Sequence, residues 1–202
     1  MADNVTIDTI TGSPVAKTLD IAAGGFHYQQ VIVGDIARVS DSFTRVADTN
    51  QYAIGDHIAS TVTAASITAA NSSFVLASAI RDADLGGYID QIVLVSDAVN
   101  TVASSWRVHF FDTDPYATVP ASGDNIAISL STNAADDYLG YIDVECNLSV
   151  FESETTGVGV PLMPIPIKAA SGTTIWGVLE ARDVYTPVSG EGFTLYAHIS
   201  QG

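Results

Sequence analysis

Positive charge is scarce in this sequence, and cysteine is nearly absent. Seven Lys and Arg stand against 23 Asp and Glu, a formal net charge of -16. A field of that sign repels a phosphate backbone, so neither nucleic acid nor an anionic membrane is an expected partner. Cys146 is the only cysteine, which excludes an internal disulfide. Its neighbours Asp143, Val144, Glu145 and Asn147 offer no cation to activate a thiolate, and the residue reads as a small buried hydrophobe. No apolar run approaches membrane-spanning length, so the mean hydropathy of +0.28 reflects core and interface. The opening Met-Ala-Asp-Asn-Val-Thr has neither a basic n-region nor an apolar h-region, and no signal peptide is expected. Charged residues make up only 15% of the chain. The small neutral residues that replace them suit a surface lying against other subunits.

Recognisable chemistry is also missing. The histidines His27, His57, His109 and His198 form no His-x-His or His-x-x-x-His pair, the usual local anchor of a zinc site. Asp112 and Asp114 flank Thr113, and the pairs Asp82/Asp84 and Asp136/Asp137 are similar calcium candidates. None continues into an EF-hand pattern, and an Asp before a Pro is an ordinary turn residue. No Gly-x-Ser-x-Gly elbow is present. The pairs Gly86/Gly87 and Gly157/Gly159 lack the Lys or following helix of a phosphate loop. The sequence therefore assigns no catalytic residue, no metal ligand and no cofactor. Trp106 and Trp176 fall inside expected strands and read as core. Tyr52, Tyr116 and Tyr185 fall in expected turns and are the surface aromatics on which a sugar could stack.

What the chain does have is β-branched residues in short runs. Residues 87–96, Gly-Tyr-Ile-Asp-Gln-Ile-Val-Leu-Val-Ser, read as a central buried strand. In residues 105–111, Trp106, Val108 and Phe110 face one way, and Arg107, His109 and Phe111 the other. Further strands are expected at 26–33, 42–48, 141–146, 148–153, 158–167, 174–181 and 193–199, with a turn at Gly55-Asp56. Pro161, Pro164 and Pro166 place part of one at a sheet edge. The one helical candidate is 131–139, capped by Ser131 or Thr132 and stopped by Gly140. Roughly nine strands with at most one short helix predict an all-β, antiparallel β-sandwich of jelly-roll or Greek-key connectivity. Residues 1–24 are interrupted by Pro14 and Gly24-Gly25 and read as an extended N-terminal arm. Residues 25–202 then form a single domain.

Several stretches carry a resemblance. They are the acidic, Thr-rich opening and residues 26–33 (Phe-His-Tyr-Gln-Gln-Val-Ile-Val), and then residues 44–56, 87–94, 106–115 and 136–143. In these the chain resembles head-associated structural proteins of bacteriophages. The resemblance implies a non-enzymatic decoration, or cement, protein on the capsid exterior. Its partners would be the major capsid protein and further copies of itself, a trimer being favoured. It would be made in the host bacterial cytoplasm and incorporated into the virion. The arm residues expected to make capsid and subunit contacts are Val5, Ile7, Ile10, Val15, Leu19 and Ile21. A tail or neck component, or a carbohydrate- or receptor-binding β-sandwich module, is the alternative.

Overall fold

The structure is a computed structural model. It describes residues 19–23, 26–30, 35–60, 74–81, 86–98, 104–116, 123–128, 132–151, 154–159, 161–168 and 172–201. Two strands, β1 (Leu19–Ala23) and β2 (Phe26–Gln30), form an antiparallel hairpin with Leu19 opposite Gln30. The rest build one sheet: β3 (Asp35–Thr44), β4 (Phe74–Leu76), β5 (Gly87–Ser96), β6 (Ser104–Phe111), β7 (Tyr138–Phe151), β8 (Glu154–Gly159), β9 (Ile165–Ile167), β10 (Ile175–Ala181) and β11 (Gly192–Gln201). Its order is β3-β11-β5-β8-β7-β6-β10-β4, antiparallel throughout. The strand β9 continues beside β5 where β8 leaves off.

The antiparallel all-β expectation holds, and the layering takes a particular form. A single sheet curls until its two end strands meet, so opposite walls face each other as sandwich layers would. At the seam, β3 and β4 share no ladder. Instead Asp41 Oδ2 accepts the Val75 N–H at 2.6 Å, and the rings of Phe43 and Phe74 lie 5.0 Å apart. Within the wall, Phe43, Phe193, Trp106 and Tyr185 follow one another as an aromatic run, each ring within 6.0 Å of the next. Alternation delivers this core: in β11, Phe193, Leu195, Ala197 and Ile199 are buried while the residues between them are half-exposed.

The helix expected over 131–139 shrinks to a 3₁₀ turn, Thr132–Ala135, and Tyr138 already belongs to β7. Cross-strand pairing wins over local propensity here. Tyr138 sits opposite Phe111, and the Asp112 N–H donates to Asp137 O at 3.0 Å. Gly140, with φ of +140°, takes up the register shift between Phe110 and Phe111. Alternation along β6 sends Phe110 into the main core. Phe111 goes to a second cluster, with Ala59, Tyr116, Ala134 and Val178.

Loops at one end are held by a buried ion pair. The side chains of Arg45 and Asp124 are fully buried and 3.2 Å apart. Arg45 also donates to Asp48 Oδ1 and to Asp48 O, both at 2.6 Å, and to the Tyr52 hydroxyl at 2.8 Å. Asp124 Oδ1 accepts the Tyr52 O–H at 2.6 Å and the Ala59 N–H at 2.9 Å. Burial, together with the Asp124 carboxylate, pushes the Tyr52 phenol far above its ordinary value, so it stays a neutral donor.

Two stability predictions follow from this packing. Arg45→Met strands the buried Asp124 carboxylate and is expected to lower the unfolding free energy by about 3–5 kcal/mol in urea titrations. Gly157→Ala would bring a Cβ within 2.6 Å of Cys146 Sγ and Val144 Cγ1 and 2.8 Å of Glu145 O. That overpacking is expected to cost about 1–3 kcal/mol, where a Gly190→Ala control, whose Cβ meets nothing within 4 Å, costs through its backbone (φ +70°) alone.

Candidate functional site: an interaction surface

Two features of the outer wall stand out, one apolar and one polar. The apolar feature is a row across four strands. Ile36 on β3 pairs with Ser200 on β11, Ser200 with Tyr88 on β5, and Tyr88 with Pro166 on β9. Strands lie about 4.8 Å apart, so the row runs for roughly 14 Å. Ile36 is 67% exposed and Tyr88 52%. Close by in sequence, Leu162 and Met163 sit in the step between β8 and β9, bracketed by Pro161 and Pro164, and both point into solvent. Proline supplies no N–H to a ladder, and pairing with β5 is interrupted there between β8 and β9. The hairpin rejoins the chain at this same end of the barrel, since Asp35 opens β3.

Of the arm residues expected to make contacts, Val5, Ile7, Ile10 and Val15 lie outside the described residues. Leu19 and Ile21 lie in β1, paired across the hairpin with Gln30 and Tyr28. Sequence reading missed Leu162 and Met163 as surface residues. The bracketing prolines were the available signal, and they were read only as marking an edge.

The polar feature lies on the outer face of β10, β6 and β7. Register sets Glu180, Arg107 and Asp143 in one line, and Val178, His109 and Tyr141 in the next. Arg107 clamps Asp143 with two bonds, Nε to Oδ1 at 2.6 Å and Nη2 to Oδ2 at 2.9 Å, and its Cζ stacks 3.7 Å from the centre of the Tyr141 ring. The Arg107 hydrogen bond holds the Asp143 carboxyl below its ordinary value. Glu180 accepts from Arg182 at 3.0 Å and lies 2.6 Å from His109 Nε2. On the ring's other side the Tyr138 hydroxyl lies 3.1 Å from Nδ1. A neutral imidazole satisfies both contacts, with Nε2–H donating to Glu180 and Nδ1 accepting from Tyr138.

Glu180, His109 and Tyr138 therefore form a relay that ends on a half-exposed phenol. No described serine, threonine or cysteine side chain bonds to His109. The structure also brings together two loops that sequence alone kept apart. Thr113 Oγ1 donates to Asp137, and the Asp112 N–H to Asp137 O. Asp112 Oδ1 is buried without a hydrogen-bond partner, and burial with the nearby Asp137 raises the Asp112 carboxyl. Among the described residues, no three His, Cys, Asp or Glu side chains are placed to hold a metal ion.

Three aromatic expectations are corrected. Tyr52, Tyr116 and Tyr185, expected at the surface, are all buried. Each phenol found a polar partner inside: Asp124 for Tyr52, His57 for Tyr116 and Glu191 for Tyr185. Among the described residues the exposed tyrosines are instead Tyr88, Tyr138 and Tyr141. Trp106 is buried as expected, while Trp176 is half-buried against the second cluster. Cys146 is buried as expected, and burial pushes its thiol up to about 12. Among the described residues, no helix is long and apolar enough to cross a membrane. Neither the protein-family models nor the curated proteins contain a match to this sequence.

The polar cluster makes a pH prediction. Burial lowers the His109 imidazole below its ordinary 6.5 and outweighs the Glu180 hydrogen bond. The unfolded chain therefore takes up the proton first. The stability His109 contributes is complete above the unfolded value and is lost as pH falls below it. Melting temperature is expected to drop between about pH 7 and pH 5, and His109→Gln is expected to flatten that part of the profile. A variant profile parallel to that of the native chain would contradict this.

Proposed function

We propose that this chain is a non-enzymatic virion protein that decorates a phage capsid. It binds the outer face of the major capsid protein lattice and stabilises the shell by bridging neighbouring subunits, as a homo-oligomer, a trimer being favoured. The observation that carries this reading is the apolar row Ile36–Tyr88–Pro166 with Leu162 and Met163, at the end of the barrel where the amino-terminal segment leaves. Exposed apolar side chains grouped together are the ordinary makings of a protein contact. The net charge of -16 supports a place outside the DNA-filled interior. The resemblance of residues 26–33, 44–56, 87–94, 106–115 and 136–143 to head-associated proteins supports the phage assignment.

One observation favours a second reading, a carbohydrate-binding face. Tyr138 and Tyr141 are exposed beside the Arg107–Asp143 clamp, an arrangement in which rings can stack on sugars and the clamp can bond hydroxyls. Binding across a glycan array that disappears in Tyr141→Ala would favour it.

The direct test mixes purified protein with expanded heads that lack it and measures what sediments. Co-sedimentation that saturates at a fixed ratio to the major capsid protein is expected. A Leu162→Ser, Met163→Ser variant is expected to weaken it at least about tenfold, the effect of losing ~1.4 kcal/mol of buried contact. Native protein that stays in the supernatant would overturn the capsid reading.

A further inference from the structure

At one end of the outer wall β3 and β5 finish where β11 begins, around an open cavity of about 340 Å³. Small-ligand pockets run from about 300 to 1,000 Å³, so this one suits a single small group. Ser42, Thr44, Val95, Asp97, Gly192 and Thr194 line it. Register explains the walls. Ser42 pairs with Thr194 and Thr194 with Val95, while Thr44 pairs with Gly192. Phe43 and Phe193 alternate with these residues and turn into the core. The hydroxyls of Ser42, Thr44 and Thr194 and the methyls of Val95 therefore stand on the outer face. Ser42 and Thr44 are exposed, and Thr194 and Val95 are half-buried.

Asp97 follows β5 directly, and its backbone extends the ladder: the Asp97 N–H donates to Gly192 O at 3.0 Å. Its side chain folds back over the same glycine. Oδ1 accepts the Gly192 N–H at 2.7 Å, and a Cβ on Gly192 would lie 2.7 Å from Oδ2. Any larger residue at 192 would push the carboxylate aside, so the glycine is what admits it to the cavity. One carboxylate oxygen is thus held by the backbone, and the other lies at the cavity wall. None of the lining residues carries a positive charge.

We propose that this cavity binds a primary alkylammonium group, as carried by a lysine side chain or a free diamine. An ionised carboxylate only accepts hydrogen bonds, and a chain of net charge -16 repels anions, so the ligand must bring donors and positive charge. The three N–H donors of an ammonium suit one carboxylate oxygen and hydroxyl acceptors from two neighbouring strands. A guanidinium binds best to both oxygens of a carboxylate at once, and here the Gly192 N–H already takes Oδ1. A calcium ion needs six or more oxygen ligands, more than one carboxylate and three hydroxyls supply. Val95 offers apolar surface to the methylene stem behind the ammonium. The site is separate from the apolar row, since Ile36 and Ser200 pair at the far end of the same two strands, roughly 27 Å from Thr44 and Gly192. It holds whether or not the chain sits on a capsid.

The test titrates the full chain, followed by NMR, with three probes: acetyl-lysine methylamide, acetyl-arginine methylamide and 1,5-diaminopentane. Saturating shifts of the Thr44, Asp97 and Thr194 amides are expected with the lysine probe, and weaker binding with the arginine probe. Asp97→Asn keeps an oxygen for the Gly192 N–H but loses the charge, and is expected to weaken lysine binding at least about tenfold. Gly192→Ala, which displaces the carboxylate and leaves its charge in place, is expected to do the same. A chain of this charge also gathers amines loosely, but Asp97→Asn removes one carboxylate of 23 and leaves that attraction nearly unchanged. The spectrum of each variant reports directly that it is folded. Tighter binding of the lysine probe than of the diamine assigns the cavity to a partner's lysine, and the reverse order assigns it to a free diamine; either supports the proposal. Shifts that fail to saturate with both amines, an arginine probe that binds as tightly as lysine, or undiminished lysine binding in folded Asp97→Asn would overturn it.

Discussion

The barrel depends on one contact at its seam. Eight strands follow one another edge to edge, and the end strands β3 and β4 must meet without a ladder between them. The Val75 N–H points away from β10, whose bonds go to the residues on either side of it. Left unpaired in a partly buried position, that donor would cost about 1–3 kcal/mol. Asp41 supplies the acceptor from its side chain, at 2.6 Å. A charge-assisted bond of this kind is stronger than the amide–carbonyl bond it replaces. Beneath it the contact between Phe43 and Phe74 joins the seam to the aromatic run through Phe193 and Trp106.

A second constraint is that the interior is more polar than the charge-poor composition implies. Arg45, Asp124, Glu191 and His57 are all buried. Their partners come from loops distant in sequence. Arg45 reaches Asp124, and Glu191 accepts from Ser96 and Tyr185. Groups that must be satisfied inside a low-dielectric core specify one arrangement of the loops they join. The loops at that end are pinned by these contacts.

Much of the fold was legible in the sequence because buried strands carry their own pattern. The strand β5 falls on residues 87–96 as read, and β6, β10 and β11 each lie within one or two residues of their expected limits. Alternation in Trp106, Val108 and Phe110 was equally plain, and the opposite side chains Arg107 and His109 do form the outer cluster. What failed depended on tertiary pairing. Residues 131–139 have local helix signals, but Phe111 was waiting for Tyr138 across the sheet. Tyr52, Tyr116 and Tyr185 sit in turn-like sequence. Asp124 and His57, the partners of Tyr52 and Tyr116, are far away in sequence, and Glu191, close to Tyr185 in the chain, carries no local sign that it is buried. The exposed row of Ile36, Tyr88 and Pro166 was hidden for the same reason, since it exists only once four strands are in register.

The claim that a side chain closes the barrel is most directly tested by amide exchange at Val75 in the native chain and in Asp41→Ala. With the contact as described, Val75 exchanges slowly in the native protein. In the variant it loses at least about tenfold of that protection, while Phe74 and Leu76, bonded to β10, keep theirs. Unchanged protection at Val75 in a folded Asp41→Ala variant would contradict it, because another group would then have to close the seam.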